Sequence, residues 1–162
     1  MSIVRMLRYC EWSNAEERVV RDLLELPVGS DDLFMRKLVN ATVLRNRLFE
    51  HSSHESEEGR LHTIYVKPFE GRELEKYGPQ IEPPLSEHCD TEPAPEAEFL
   101  HWDGRRFRRG EPVAAPEDPL EIARLLLDHY VVANGRTHET IYSVFDADRN
   151  KVVFYMKEDI VR

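Results

Sequence analysis

Gly135-Arg136-Thr137-His138-Glu139-Thr140-Ile141-Tyr142-Ser143-Val144-Phe145, the polar stretch Asp146-Ala147-Asp148-Arg149-Asn150, and then Lys151-Val152-Val153-Phe154-Tyr155-Met156 set the fold class. β-Branched and aromatic residues crowd both flanks of a turn-forming segment, which predicts a β-hairpin. The opening phrase occurs once more, as Gly59-Arg60-Leu61-His62-Thr63-Ile64-Tyr65, without the residue inserted after the histidine. Each copy follows an apolar stretch ending in an acid and a histidine, Glu50-His51 and Asp128-His129. Each is therefore expected to begin a strand after a glycine that ends a helix.

Working outward, Ser13 and Glu16 make a capping-box pattern, and Val19, Val20, Leu23 and Leu24 recur at helical spacing up to Pro27 and Gly29. A first helix is expected there. Ser30-Asp31-Asp32 suits a second N-terminus, and Phe34, Leu38, Ala41, Val43, Leu44 and Leu48 extend an apolar stripe to about Phe49. Asp118-Pro119-Leu120-Glu121 starts a third helix running toward Asn134-Gly135. Further strands are expected over Ile3 to Tyr9 and over Leu61 to Lys67, the latter pairing with Glu73 to Tyr77 through the turn Pro68 to Gly71. Asp103-Gly104 predicts a short hairpin between Phe99 and Phe107.

Residues 79–97 are rich in proline and acid and are expected to connect two halves without helix or strand. The expectation is a single α+β domain over residues 1–162, with about three helices packed on a mixed or antiparallel sheet. Its halves are read as pseudo-repeated helix-strand-hairpin units keyed by the Gly-Arg-x-His phrase.

With 162 residues, the chain is long enough to bury a core without staples. No apolar run reaches membrane-spanning length, and the first residues lack the apolar core of a signal peptide. These features predict a soluble, cytoplasmic protein without membrane contact. Two cysteines, Cys10 and Cys89, are too few for a disulfide framework. A net charge of -9 disfavours nucleic acid, whose phosphates need clustered cations.

Candidate chemistry is sparse. His51, His54 and His62, with Glu55, Glu57 and Glu58 among them, offer imidazole and carboxylate suited to zinc or another divalent ion. Their spacing matches no zinc-finger or metalloprotease pattern, and a solvated polar loop explains the same residues. His88-Cys89-Asp90 sets a thiol beside an imidazole, while Cys10, following a strand and near Trp12, reads as core. Trp102 with Arg105, Arg106, Arg108 and Arg109 is a candidate interaction patch, although alternation along a hairpin divides the arginines between two faces. No phosphate loop, nucleophile elbow or His-Glu-x-x-His occurs, and no cofactor is expected apart from a possible divalent metal.

The run Asp128-His129, then His138 to Asp146 with the closing hairpin, resembles the final segment of N-terminal-nucleophile amide hydrolases. That resemblance implies a cysteine nucleophile heading a strand, and Cys10 with its Glu11-Trp12-Ser13 sequel departs from the family's pattern. The leading expectation is a small acidic protein-interaction or regulatory module that engages a protein partner. The alternative is a hydrolase, either metal-assisted through the His/Glu cluster or a cysteine-dependent amide hydrolase.

Overall fold

The computed structural model describes residues 4–87 and 90–159. Strands β1 (Arg5–Ser13) and β2 (Arg18–Val28) form an antiparallel hairpin and lead into helix α1 (Ser30–Leu38). A meander follows, β3 (Ala41–Leu44), β4 (Arg47–Glu57) and β5 (Leu61–Pro68), whose last strand lies parallel to β1. Two 3-10 segments, Arg72–Gln80 and Pro83–Ser86, precede a second hairpin of β6 (Glu96–Trp102) and β7 (Phe107–Arg109). Helix α2 (Pro119–Leu126) and the meander β8 (Tyr130–Ala133), β9 (Arg136–Asp146) and β10 (Lys151–Asp159) complete the path, and β10 lies parallel to β6. Among the described residues all ten strands belong to one mixed sheet ordered β2-β1-β5-β4-β3-β9-β10-β6-β7, with β8 added along β9. The α+β class holds, with the sheet dominant.

Side-chain alternation assigns the two faces of this sheet. On β10, Val152, Phe154 and Met156 join Phe99 and Phe145 under Met35 of α1 and Ile122 and Ala123 of α2. The intervening Val153 and Tyr155 face the other way, toward Leu100, Val144 and Phe107, where Leu74, Tyr77, Ile81 and Leu85 cover them. Helices thus close one face, and the 3-10 segments form a strap across the middle of the other. Tyr155 fixes the strap by donating its hydroxyl to the Ile81 carbonyl at 2.7 Å.

Three of the expected helical stretches are corrected. The Ser13/Glu16 pattern does form its hydrogen bond, Glu16 N–H to Ser13 Oγ at 3.2 Å, but the bond closes the β1–β2 turn. Val19, Val20, Leu23 and Leu24 lie in β2. The second helix ends at Leu38, because Val39 turns extended (φ -70°, ψ 157°) and leads into β3, after which Arg45 and Asn46 (φ 51° and 63°) reverse the chain into β4. The Asp148 carboxylate holds that turn by accepting from Arg45 N–H at 2.9 Å and Asn46 N–H at 2.6 Å. The third helix starts as expected, with Asp118 accepting from Glu121 N–H at 2.8 Å, but ends at Leu126 and leaves Tyr130–Ala133 as a strand.

The β9–β10 and β6–β7 hairpins form as expected. β5 pairs with β1 and β4, not with residues 73–77, which are 3-10. The stretch expected to connect two halves without helix or strand instead contains the end of the first 3-10 segment at Gln80, the second at Pro83–Ser86 and the start of β6 at Glu96, with Ile81 and Pro84 buried as apolar anchors. The twin phrases do not follow helices. Each marks a two-residue strand reversal, Glu58-Gly59 (φ 52° and 68°) and Asn134-Gly135 (φ 52° and 76°), the left-handed pair that suits a tight hairpin. His62 falls on the last strand of the first meander, and His138 on the middle strand of the second.

Candidate functional site

At the end of the sheet where β6 and β10 finish and β9 begins, a half-open cleft of about 620 Å³ lies between the β8–β9 turn and the segment after β7. Its walls include His101, Trp102, Val113, Arg136, His138 and Glu158. Strand order brings these groups together, because β10 lies between β6 and β9 and sets Glu158 directly opposite His138. The His101 and His138 rings meet edge to face, 5.4 Å between centroids and 68° between planes.

His101 is held in one orientation. One of its ring nitrogens, Nε2, lies 2.8 Å from the Glu111 carbonyl. A carbonyl only accepts, so Nε2 carries the proton and Nδ1 is left as the basic nitrogen of the neutral ring. Gly110 makes room for the ring, since a Cβ there would meet His101 Cδ2 at 2.5 Å. His138 is 9% exposed, and its Nδ1 has no hydrogen-bond partner. Burial, followed by repulsion from the neighbouring His101 ring when that ring is protonated, holds the His138 imidazole below its ordinary pKa. Arg136 and Glu158 form a loose, exposed pair at 3.6 Å on the rim.

His51 and His54 adjoin on β4, their rings 5.4 Å apart and His51 Nδ1 3.3 Å from His54 Nε2. His51 Nε2 also lies 2.7 Å from Thr42 Oγ1. Burial and then His54 push the His51 pKa down to about 3. His62 is on β5, opposite Ser56, and its Nδ1 accepts from Lys37 Nζ at 2.8 Å. Among the described residues no three His, Cys, Asp or Glu side chains are grouped to hold a metal ion.

In the arginine hairpin, Arg108 pairs with Asp103 and Arg109 with Glu98 at 2.6 Å. The Asp103 carboxylate also accepts from the Arg105 and Arg106 backbone N–H groups at 2.8 and 3.0 Å. Trp102 packs on Tyr77 of the strap at 4.9 Å and on Phe107 at 5.0 Å, so it joins the strap to the edge of the cleft. Cys10 is buried and donates Sγ–H to Asp22 Oδ1 at 3.3 Å. Burial and the Asp22 contact push its thiol up to about 11, which removes the thiolate needed of a nucleophile. His88 and Cys89 lie outside the described residues.

The His101/His138 cleft has no compact signature in sequence. Its only signals are a histidine just before the Asp103-Gly104 turn and another just after Asn134-Gly135. No family model, curated protein or solved structure matches the chain. The likeness of residues 138–146 to amide hydrolases gains no support from those comparisons.

Proposed function

We propose that the protein is an interaction module whose acidic strap receives a basic protein partner. One observation carries this reading: residues 70–98 contain nine acids against two bases, Arg72 and Lys76, and so hold seven of the nine net negative charges of the chain. Glu70, Glu73, Glu75, Glu82, Glu87, Asp90 and Glu96 are exposed on this segment. Leu74, Tyr77, Ile81 and Leu85 anchor its 3-10 portion on the sheet. A charged surface ordered before the encounter loses less conformational freedom on binding than a disordered acidic tail. Its field also speeds association with an oppositely charged surface.

The test compares the wild type with a variant carrying Glu73→Gln, Glu75→Gln, Glu82→Gln and Glu87→Gln, all at exposed positions. A stoichiometric basic partner should co-purify with the wild type from native extract at ~0.05 M salt and dissociate at ~0.5 M, where screening is nearly complete. The variant should recover little of it. Equal recovery by the variant, or recovery that salt does not affect, sinks the reading.

We also read the chain path as two like halves, each a hairpin, a helix and a three-stranded meander. The first hairpin strand lies parallel to the last meander strand in both halves, β1 with β5 and β6 with β10. These units differ from the helix-strand-hairpin halves expected from the Gly-Arg-x-His phrases. A cross-linking or spin-label distance that puts α1 and α2 on opposite faces of the sheet is incompatible with this reading.

A further inference from the structure

A second cleft, of about 480 Å³, opens where the strap passes the turn between β3 and β4. Its floor is the cross-strand pair Val43 and Leu48, which lie directly opposite each other and are nearly buried. Exposed Pro79 and Pro83 and half-buried Leu85, all on the strap, form the apolar wall. Both prolines fix their backbone φ, and the Tyr155 bond to the Ile81 carbonyl pins the chain between them, so the cleft is shaped before any ligand arrives. An apolar cleft of this size with a few polar groups at its rim suits an anchor side chain.

The charges around it are unequal. Glu82 stands in the wall, Glu87 follows Ser86 of the rim, and the Glu92 N–H donates to the Arg149 carbonyl at 3.0 Å. Asp148 accepts from the Arg45 and Asn46 N–H groups on the opposite rim. Two cations adjoin the cleft, Arg149, whose guanidinium is bonded to the buried Asp146 at 2.8 Å, and Arg45 in the turn. Arg47 is turned to the other face of the sheet, over the Phe49 ring. With Arg149 neutralised by Asp146, the surplus carboxylates are Glu82, Glu87, Glu92 and Asp148.

We propose that this cleft receives an aliphatic or aromatic side chain of the protein partner, flanked in the partner's sequence by Lys or Arg that meet the surrounding carboxylates. The inference rests on the strap reading and adds what the partner presents. The apolar anchor supplies affinity by filling a dry pocket, and the basic flanks supply orientation and association rate. A segment that is only cationic, or only apolar, lacks one of the two.

The experiment titrates three synthetic peptides into the whole protein at ~0.05 M salt, followed by the methyl resonances of Leu85, Val43 and Leu48. The probes are acetyl-Lys-Lys-Leu-Lys-Lys-amide, the same peptide with Ala for Leu, and acetyl-Glu-Glu-Leu-Glu-Glu-amide. The first should saturate with a Kd below ~1 mM, and the Ala form should bind about tenfold more weakly for want of the buried side chain. The acidic peptide should not saturate. Ser86→Trp, at an exposed rim position, fills the cleft and should weaken the Leu peptide about tenfold while leaving the Ala form unchanged. The Leu and Ala pair alters only the ligand, so it tests the anchor whatever the variant does to the fold. Equal affinity for these two peptides overturns the inference and leaves the strap reading standing, because charge alone then carries binding. Binding of the acidic peptide as tight as that of the basic one also overturns it, because the cleft then ignores charge. If no peptide saturates, the inference falls, and the strap reading is decided by its own salt-dependent recovery of a partner.

Discussion

Asn40 and Ser143 are joined by four hydrogen bonds across the middle of the sheet. The Asn40 N–H donates to the Ser143 carbonyl at 3.0 Å and to its Oγ at 3.2 Å. Asn40 Oδ1 in turn accepts from Ser143 N–H at 2.9 Å and from Ser143 Oγ–H at 3.0 Å. The residue before β3 is thereby tied to β9. Asn40→Ala strips two donors of their acceptor and should destabilise the protein by about 2 kcal/mol in urea unfolding. Ser143→Ala, which keeps the backbone bonds, should cost about half as much. If the double variant loses the sum of the two single effects, the pair does not act as a unit.

Acid should weaken the fold through His51. Its folded pKa of about 3 lies far below the ordinary imidazole value of 6.5 because it is buried and adjoins His54. Below the unfolded value the unfolded chain takes up a proton that the folded chain refuses. The stability is therefore fully present above that value and is lost as pH falls toward the folded one, by up to ~1.4 kcal/mol per pH unit. His54, His62 and His138 are lowered as well and act in the same direction. His51→Gln should flatten the stability profile between about pH 6 and pH 4 by roughly one proton. An unchanged slope in chemical unfolding would show that His51 is not held neutral by burial.

The strap turns on Gly78. A Cβ at this position would collide with the Gly71 carbonyl oxygen, which is backbone and has little room to move. Gly78→Ala should cost roughly 2 kcal/mol by overpacking. Because Tyr77 packs on Trp102, release of the strap should also alter Trp102 fluorescence before global unfolding. Gly29→Ala, where a Cβ meets nothing within 4 Å, serves as the control and should leave the emission unchanged.

Cys10 should resist alkylation in the folded protein. Its thiol is 3% exposed and raised to about 11, so the thiolate fraction at neutral pH is very small. Peptide mapping after iodoacetamide treatment should find Cys10 unmodified until denaturant is added. Rapid native labelling contradicts the Asp22 contact and the burial together.

Local turn chemistry was legible in the sequence where short-range rules apply. Asp103-Gly104, the Asp118 cap and the polar segment after Asp146 each act within a few residues. The helical pattern over Val19 to Leu24 belongs to strand β2 for a specific reason. Cys10 pairs with Asp22 and Tyr9 with Leu24, which leaves Leu23 bulged, and the shift from Arg21 to Val19 bulges Val20. Two extra residues break strict alternation and give the apolar positions a helix-like spacing. Val43, Leu44 and Leu48 continue the apolar pattern of α1 beyond its end, whereas their burial comes from sheet packing. The His101/His138 cleft stayed hidden because β10 brings β6 and β9 together, a long-range placement that no local spacing encodes.

The parallel contact of β3 with β9 has a consequence for the order of assembly. Ala41, Thr42 and Val43 pair with Val144, Phe145 and Asp146, residues separated by most of the chain. During synthesis β1 to β5 can pair among themselves, but one edge of β3 and the fully buried Ala41 and Thr42 must wait for β9 to emerge. Such long-range pairing slows folding and prolongs exposure of an open strand edge to neighbouring chains. The sheet's centre is therefore completed late, and the nascent protein is most prone to aggregation in the interval before β9 arrives.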